Sequence, residues 1–134
     1  MTRTKFSTTG AAVLMSVGRG GIAQVRVTGV VVDRDMRAFQ RWLFRVCETE
    51  QVRGCVVDFR RAILAIDWVA LLQDPQTASQ PLKAVPNALV TNPALTEDAH
   101  DLCWRRARQG HMRAAFSDAD SATAWAVARA WMPV

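Results

Sequence analysis

The spacing of apolar positions changes along the chain, and each change marks an element. Residues 11–17 and 22–32 read as two strands, and the turn Gly18-Arg19-Gly20-Gly21 supplies the glycines a tight reversal needs, so the pair predicts a hairpin. The period then lengthens. Met36, Phe39, Leu43, Val46 and Cys47 recur three and four apart, which places them on one face of a helix over 33–50 with Asp33 at its start. Gly54 opens the run 55–59, apolar enough for a central strand covered on both sides. Asp67 then begins an apolar helix over 67–73, and the segment 74–86, with Pro75 and Pro81, is the longest loop-like stretch.

Residues 87–91 form a short predicted strand. Thr96 or Asp98 starts a helix that Gly110 ends, 112–116 is a last strand, and Ser117 with Asp120 makes a capping box for a helix reaching about Trp131. A hairpin followed by alternating helices and strands predicts an α/β sandwich built on a mixed sheet, one domain over 11–134. The Thr- and Ser-rich residues 1–10 read as a flexible arm ahead of it.

Composition changes this picture little. With 134 residues, half of them hydrophobic, the chain can bury a normal core. Three cysteines, Cys47, Cys55 and Cys103, lack the close pairing of zinc or redox motifs; reduced, core-packed thiols follow, and with them a cytoplasmic setting. The apolar run 11–17 after Arg3 and Lys5 is short for a signal core, lacks a small-x-small cleavage site after it, and reads as a strand. No stretch approaches the roughly 20 apolar residues of a membrane span.

The net charge of +5 invites a nucleic-acid reading, and its distribution argues against one. Arg3, Lys5, Arg19 and Arg26 carry +4 with no acid before residue 27, so everything after carries only +1. The stripe Arg34, Arg37, Arg41 and Arg45 on the first helix is neutralised by Asp33, Asp35, Glu48 and Glu50, as on a solvated face. Arg105, Arg106 and Arg108 sit late in a helix that starts with Glu97, Asp98 and Asp101, which complements the helix dipole. Specific nucleic-acid binding is not expected.

The stretch 54–72 is the most informative. A strand ending in Asp58 and a helix opening at Asp67 would set a helix amino terminus beside the carboxyl end of a central strand, where α/β proteins place working residues. Asp58, Arg60, Arg61 and Asp67 are then expected to form a polar pocket that binds an anionic group; the plainer reading has Asp67 only capping its helix and the others forming loop ion pairs. His100 and His111 have no third ligand-type neighbour at metal spacing, and no nucleophile motif, phosphate loop or cofactor signature occurs. His100 reads as a helix-surface residue and His111 as one at a strand edge. Trp42 and Phe44 fall off the main apolar face of the first helix, so they, with Trp68, are candidates for a protein or dimer interface.

Val56-Val57-Asp58, Ile66-Asp67 and Phe116-Ser117-Asp118, in this order of elements, resemble the STAS superfamily, and most of all its stand-alone sporulation-AA-like (anti-anti-sigma-factor-like) members. The resemblance covers about residues 11–131 and implies a bacterial, non-catalytic regulatory or interaction module with a protein partner or a second copy of itself. Signalling members carry a phosphorylated Ser or Thr after the Asp that opens this helix; Trp68 stands there, so the family switch is expected to be missing. A small apolar or lipid-like ligand held under the segment 74–86 is the alternative. An enzyme using Asp58 or Asp67 with His111 is a remoter one.

Overall fold

The computed structural model describes residues 2–67, 70, 85–108 and 110–131. In chain order its elements are β1 (Thr2–Ser7), β2 (Ala11–Val17), a short 3-10 turn (Arg19–Gly21), β3 (Ile22–Val32), α1 (Asp33–Thr49), β4 (Gly54–Ala65), β5 (Asn87–Val90), α2 (Pro93–Arg108), β6 (Arg113–Phe116) and α3 (Ala119–Ala130). The strands lie in sequence order in one mixed sheet, antiparallel from β1 to β3 and parallel from β3 to β6. Parallel neighbours require crossovers, and α1 and α2 supply the first and last of them.

Period-2 alternation splits each strand between two layers. Val13 and Met15 of β2, Val25 and Val27 of β3 and Val57 and Phe59 of β4 face one side, where Met36, Phe39, Trp42 and Leu43 of α1 and Leu102 of α2 complete the main core. Val56, Ala88 and Val90 face the other side and pack on Ala122 and Ala126 of α3. Small alanines bring α3 close to the sheet.

Several boundaries differ from the sequence expectation. Residues 2–7, expected as a flexible arm, form a strand: Phe6 stacks on the Trp42 ring with centroids 5.3 Å apart, so one aromatic contact anchors an otherwise polar segment. Trp42 is in consequence 7% exposed and belongs to the core, and Phe44 is half-buried against it; neither is the exposed interface residue that α1 alone suggested. The sheet reaches one strand further than a hairpin would, and therefore covers a wider stripe of the helix.

β4 also runs on past Phe59 to Ala65. Between the pairs Arg26–Asp58 and Thr28–Arg61, one residue of β3, Val27, opposes two of β4, Phe59 and Arg60, and this bulge leaves both Arg60 and Arg61 exposed without breaking the ladder. Gly29 has φ of 91°, and a side chain there would strike the Gly10 carbonyl oxygen where the chain enters β2. α1 is capped by Asp35, whose Oδ2 accepts the Val32 N–H at 3.2 Å, and α3 by Asp118, whose Oδ1 accepts the Ser121 N–H at 2.7 Å, in place of the expected Asp33 and Ser117. Gly110 follows α2 with φ of 91°.

Candidate functional site

The expected pocket of Asp58, Arg60, Arg61 and Asp67 does not assemble. Asp58 takes the Arg60 backbone N–H at 2.9 Å and Nε at 3.0 Å on Oδ1, and Nη2 at 2.8 Å on Oδ2. Those hydrogen bonds, the side-chain ones foremost, hold the Asp58 carboxyl below the usual carboxylate range, and the same bond raises the Arg60 guanidinium. The pair is partly exposed, so its worth in stability is small. Arg61 points to solvent one residue on.

Asp67 lies elsewhere, because β4 continues from Asp58 to Ala65 and an extended strand of that length puts more than about 20 Å between them. Its N–H donates to Asp33 Oδ1 at 2.8 Å, and its own Oδ1 accepts the Ala70 N–H at 3.1 Å, the bond of a helix-opening residue. Trp68, Val69 and residues 71–84, which hold most of the expected helix and loop, fall outside the described residues.

A different site forms where the sheet is open. α3 covers the outer face from β3 to β6, and Gln24 marks its limit, donating from Nε2 to Thr123 Oγ1 at 3.2 Å. Toward β1 no helix among the described residues covers that face. Register aligns two rows across it: Arg3, Ser16 and Gln24 in one, and Lys5, Leu14, Arg26 and Asp58 in the next. Together with Arg60 and Ala119 at the start of α3, these rows bound a groove of about 320 Å³ lined by Arg3, Leu14, Ser16, Gln24, Arg26, Asp58 and Arg60. Arg3 and Arg26 escaped the sequence analysis as site residues. The excess of basic residues before position 27 was the available signal, but which of them share a face with Arg60 depends on cross-strand register.

Of the remaining expectations some hold and some are displaced. The main core holds a cavity of about 10 Å³ between Phe6, Val13, Val31 and Phe39, room for about one water. Cys47, Cys55 and Cys103 are free and buried, with the Cys47 and Cys55 sulfurs 3.5 Å apart. His111 is 3% exposed and thus within the fold instead of at a strand edge, while His100 is exposed. Arg106, grouped with Arg105 and Arg108 in the last turns of α2, is fully buried. No described helix is long and apolar enough to cross a membrane.

Neither a family model nor a curated protein sequence matches the chain. Solved structures do match. An anti-sigma factor antagonist from Mycobacterium paratuberculosis superimposes with a TM-score of 0.61 at 15% identity, over 90% of this chain and 98% of the other. A protein of the DUF3478 family with a SpoIIAA-like fold, from Shewanella loihica PV-4, gives a TM-score of 0.58 at 14% identity over the same shares. The fold is SpoIIAA-like. This agrees with the resemblance to the STAS superfamily and with the mixed α/β sandwich expected from the sequence. At such identities the likeness extends to the fold and not to individual residues.

Proposed function

We propose that this SpoIIAA-like chain is a non-catalytic regulatory module that acts by binding a protein partner and does so without a phosphoacceptor at the family position. The observation that carries the reading is the Asp67 carboxylate on the Ala70 N–H. It marks Asp67 as the helix-opening residue, and the next side chain in the sequence is the indole of Trp68, which offers no hydroxyl. The anti-sigma factor antagonist that shares the fold supports a role in protein contacts, and three buried free thiols suit a reducing cytoplasm.

With Trp42 in the core, self-association needs another surface. Val30 and Ile63, directly paired in β3 and β4 and 43% and 66% exposed, form with Val32 an apolar strip on the outer face, and we assign the contact with a second copy to it. Sedimentation of the wild type and of Ile63→Glu across a range of concentrations tests the assignment. A dimer that Ile63→Glu converts to a folded monomer is expected. A wild type that stays monomeric throughout defeats self-association, and phosphorylation at Thr77 or Ser79 that altered partner binding would defeat the switch-free reading.

A further inference from the structure

We infer that the groove on the open sheet face is a binding site for a small, multiply charged oxyanion of the phosphate or polycarboxylate class. The inference is independent of the partner reading above. Its first support is the imbalance of hydrogen-bonding groups lining the groove. Asp58 is the lining carboxylate, and both its oxygens are occupied by Arg60, whose fork is thereby fixed in direction. Arg3 has no ion-pair partner among the described residues, and Arg26, opposite Asp58 across β3 and β4, helps hold that carboxyl low without a direct salt bridge to it, so the groove carries more guanidinium donors than its one carboxylate engages. Ser16 adds a hydroxyl between them.

The second support is geometric. Arg3 and Arg26 stand on β1 and β3, separated by one strand, and Arg26 is two residues beyond Gln24, the residue in Arg3's row. Strand spacing and rise then put their Cα atoms about 12 Å apart, within the combined reach of two arginine side chains. A planar guanidinium binds two oxygens of one phosphate or carboxylate at once, so convergent forks select an anion with several such groups. Third, about 320 Å³ matches a small ligand more closely than a protein surface, which would meet the sheet over a broad flat area. Asp118 and Asp120 lie near enough to Arg60 to raise its affinity for protons, so they temper the field at that end and leave the Arg3 and Arg26 end the stronger.

Titration calorimetry of the full chain at physiological salt, with pyrophosphate and separately with citrate, tests the site. Saturable binding at millimolar concentration is expected. The variant Arg3→Ala/Arg26→Ala, which removes two exposed side chains and no ion pair, should lower affinity by about tenfold or more, while Arg41→Ala on α1 should leave it unchanged. Pyrophosphate tighter than citrate assigns the site to phosphates, and the reverse to polycarboxylates. No saturation, equal binding by the double variant, or an oligoglutamate peptide binding more tightly than either ion would each overturn the inference. Far-UV circular dichroism of the double variant separates a lost site from a lost fold.

Discussion

Trp42 offers the sharpest test of how the amino-terminal strand is held. Its indole lies 5.3 Å from the Phe6 ring in a stacked arrangement and 6.2 Å from Phe39, and 7% of it meets solvent. Trp42→Ala therefore removes a buried aromatic and leaves a void against β1 that the sheet cannot close. Truncations of this kind cost about 3–5 kcal/mol. Set against a total stability of about 5–15 kcal/mol, the variant stays folded but sits near its limit. In urea, with a slope of about 2 kcal/mol/M, the midpoint should fall by about 1.5–2.5 M. Circular dichroism is the appropriate readout, since the other tryptophans would confuse fluorescence. Trp104→Ala is the matched control: that ring is 58% exposed, with Arg108 over its face at 5.0 Å, and its loss should cost no more than about 1 kcal/mol. A double-mutant cycle of Trp42→Ala with Phe6→Ala should show coupling of about 0.5–1.5 kcal/mol, the part of the stack that area alone does not supply. Equal small shifts for Trp42 and Trp104, or no coupling to Phe6, would refute the claim that β1 is fastened by this pair.

Two further outcomes follow from backbone and burial. Gly29→Ala forces a side chain into a positive-φ position against the Gly10 carbonyl and should cost at least about 1–3 kcal/mol in the same urea assay, whereas a neutral result would mean the β2 entry can move aside. Burial pushes the Cys103 thiol from 9.0 up to about 12, so the native state keeps a proton that the unfolded chain releases: stability should hold below about pH 9 and fall between pH 9 and 12, by up to about 1.4 kcal/mol per pH unit from this group. Cys103→Ala should flatten that slope, and an unchanged slope would assign the loss to other groups such as Cys55, raised chiefly by its hydrogen bond with Cys47.

What the sequence revealed and what it hid follows from range. β3, α1 and the order of strands and helices were legible because local periodicity carries them, as in the Met36, Phe39, Leu43 series. β1 was not, since Arg3, Lys5 and Ser7 alternate with Thr4 and Phe6, and a single aromatic is a weak apolar signal. The misplacement of Trp42 followed directly: a helix face is as wide as the sheet it meets, and the missing strand made it look narrower. The polar cluster failed for a related reason. An apolar strand ending at Phe59 looked complete, but a bulge carries two consecutive arginines along an extended strand and moves Asp67 away from Asp58. The groove depended on register between β1 and β3, which composition alone does not contain.

β1 has a further role at the border of the sheet. An edge strand presents unpaired backbone groups to which another chain can add, and proteins blunt such edges with charge or brevity. Here Arg3 and Lys5 charge one border, and at the opposite border β6 is only four residues long. Behind β1 lies β2, Ala-Ala-Val-Leu-Met-Ser-Val, which has no charge at all. A chain shortened by its first seven residues would expose that segment as a flat, uncharged border, the kind that seeds cross-β assembly. Those few polar residues thus act as a solubility guard, and the same Phe6 contact that fastens them to the core keeps the guard in place.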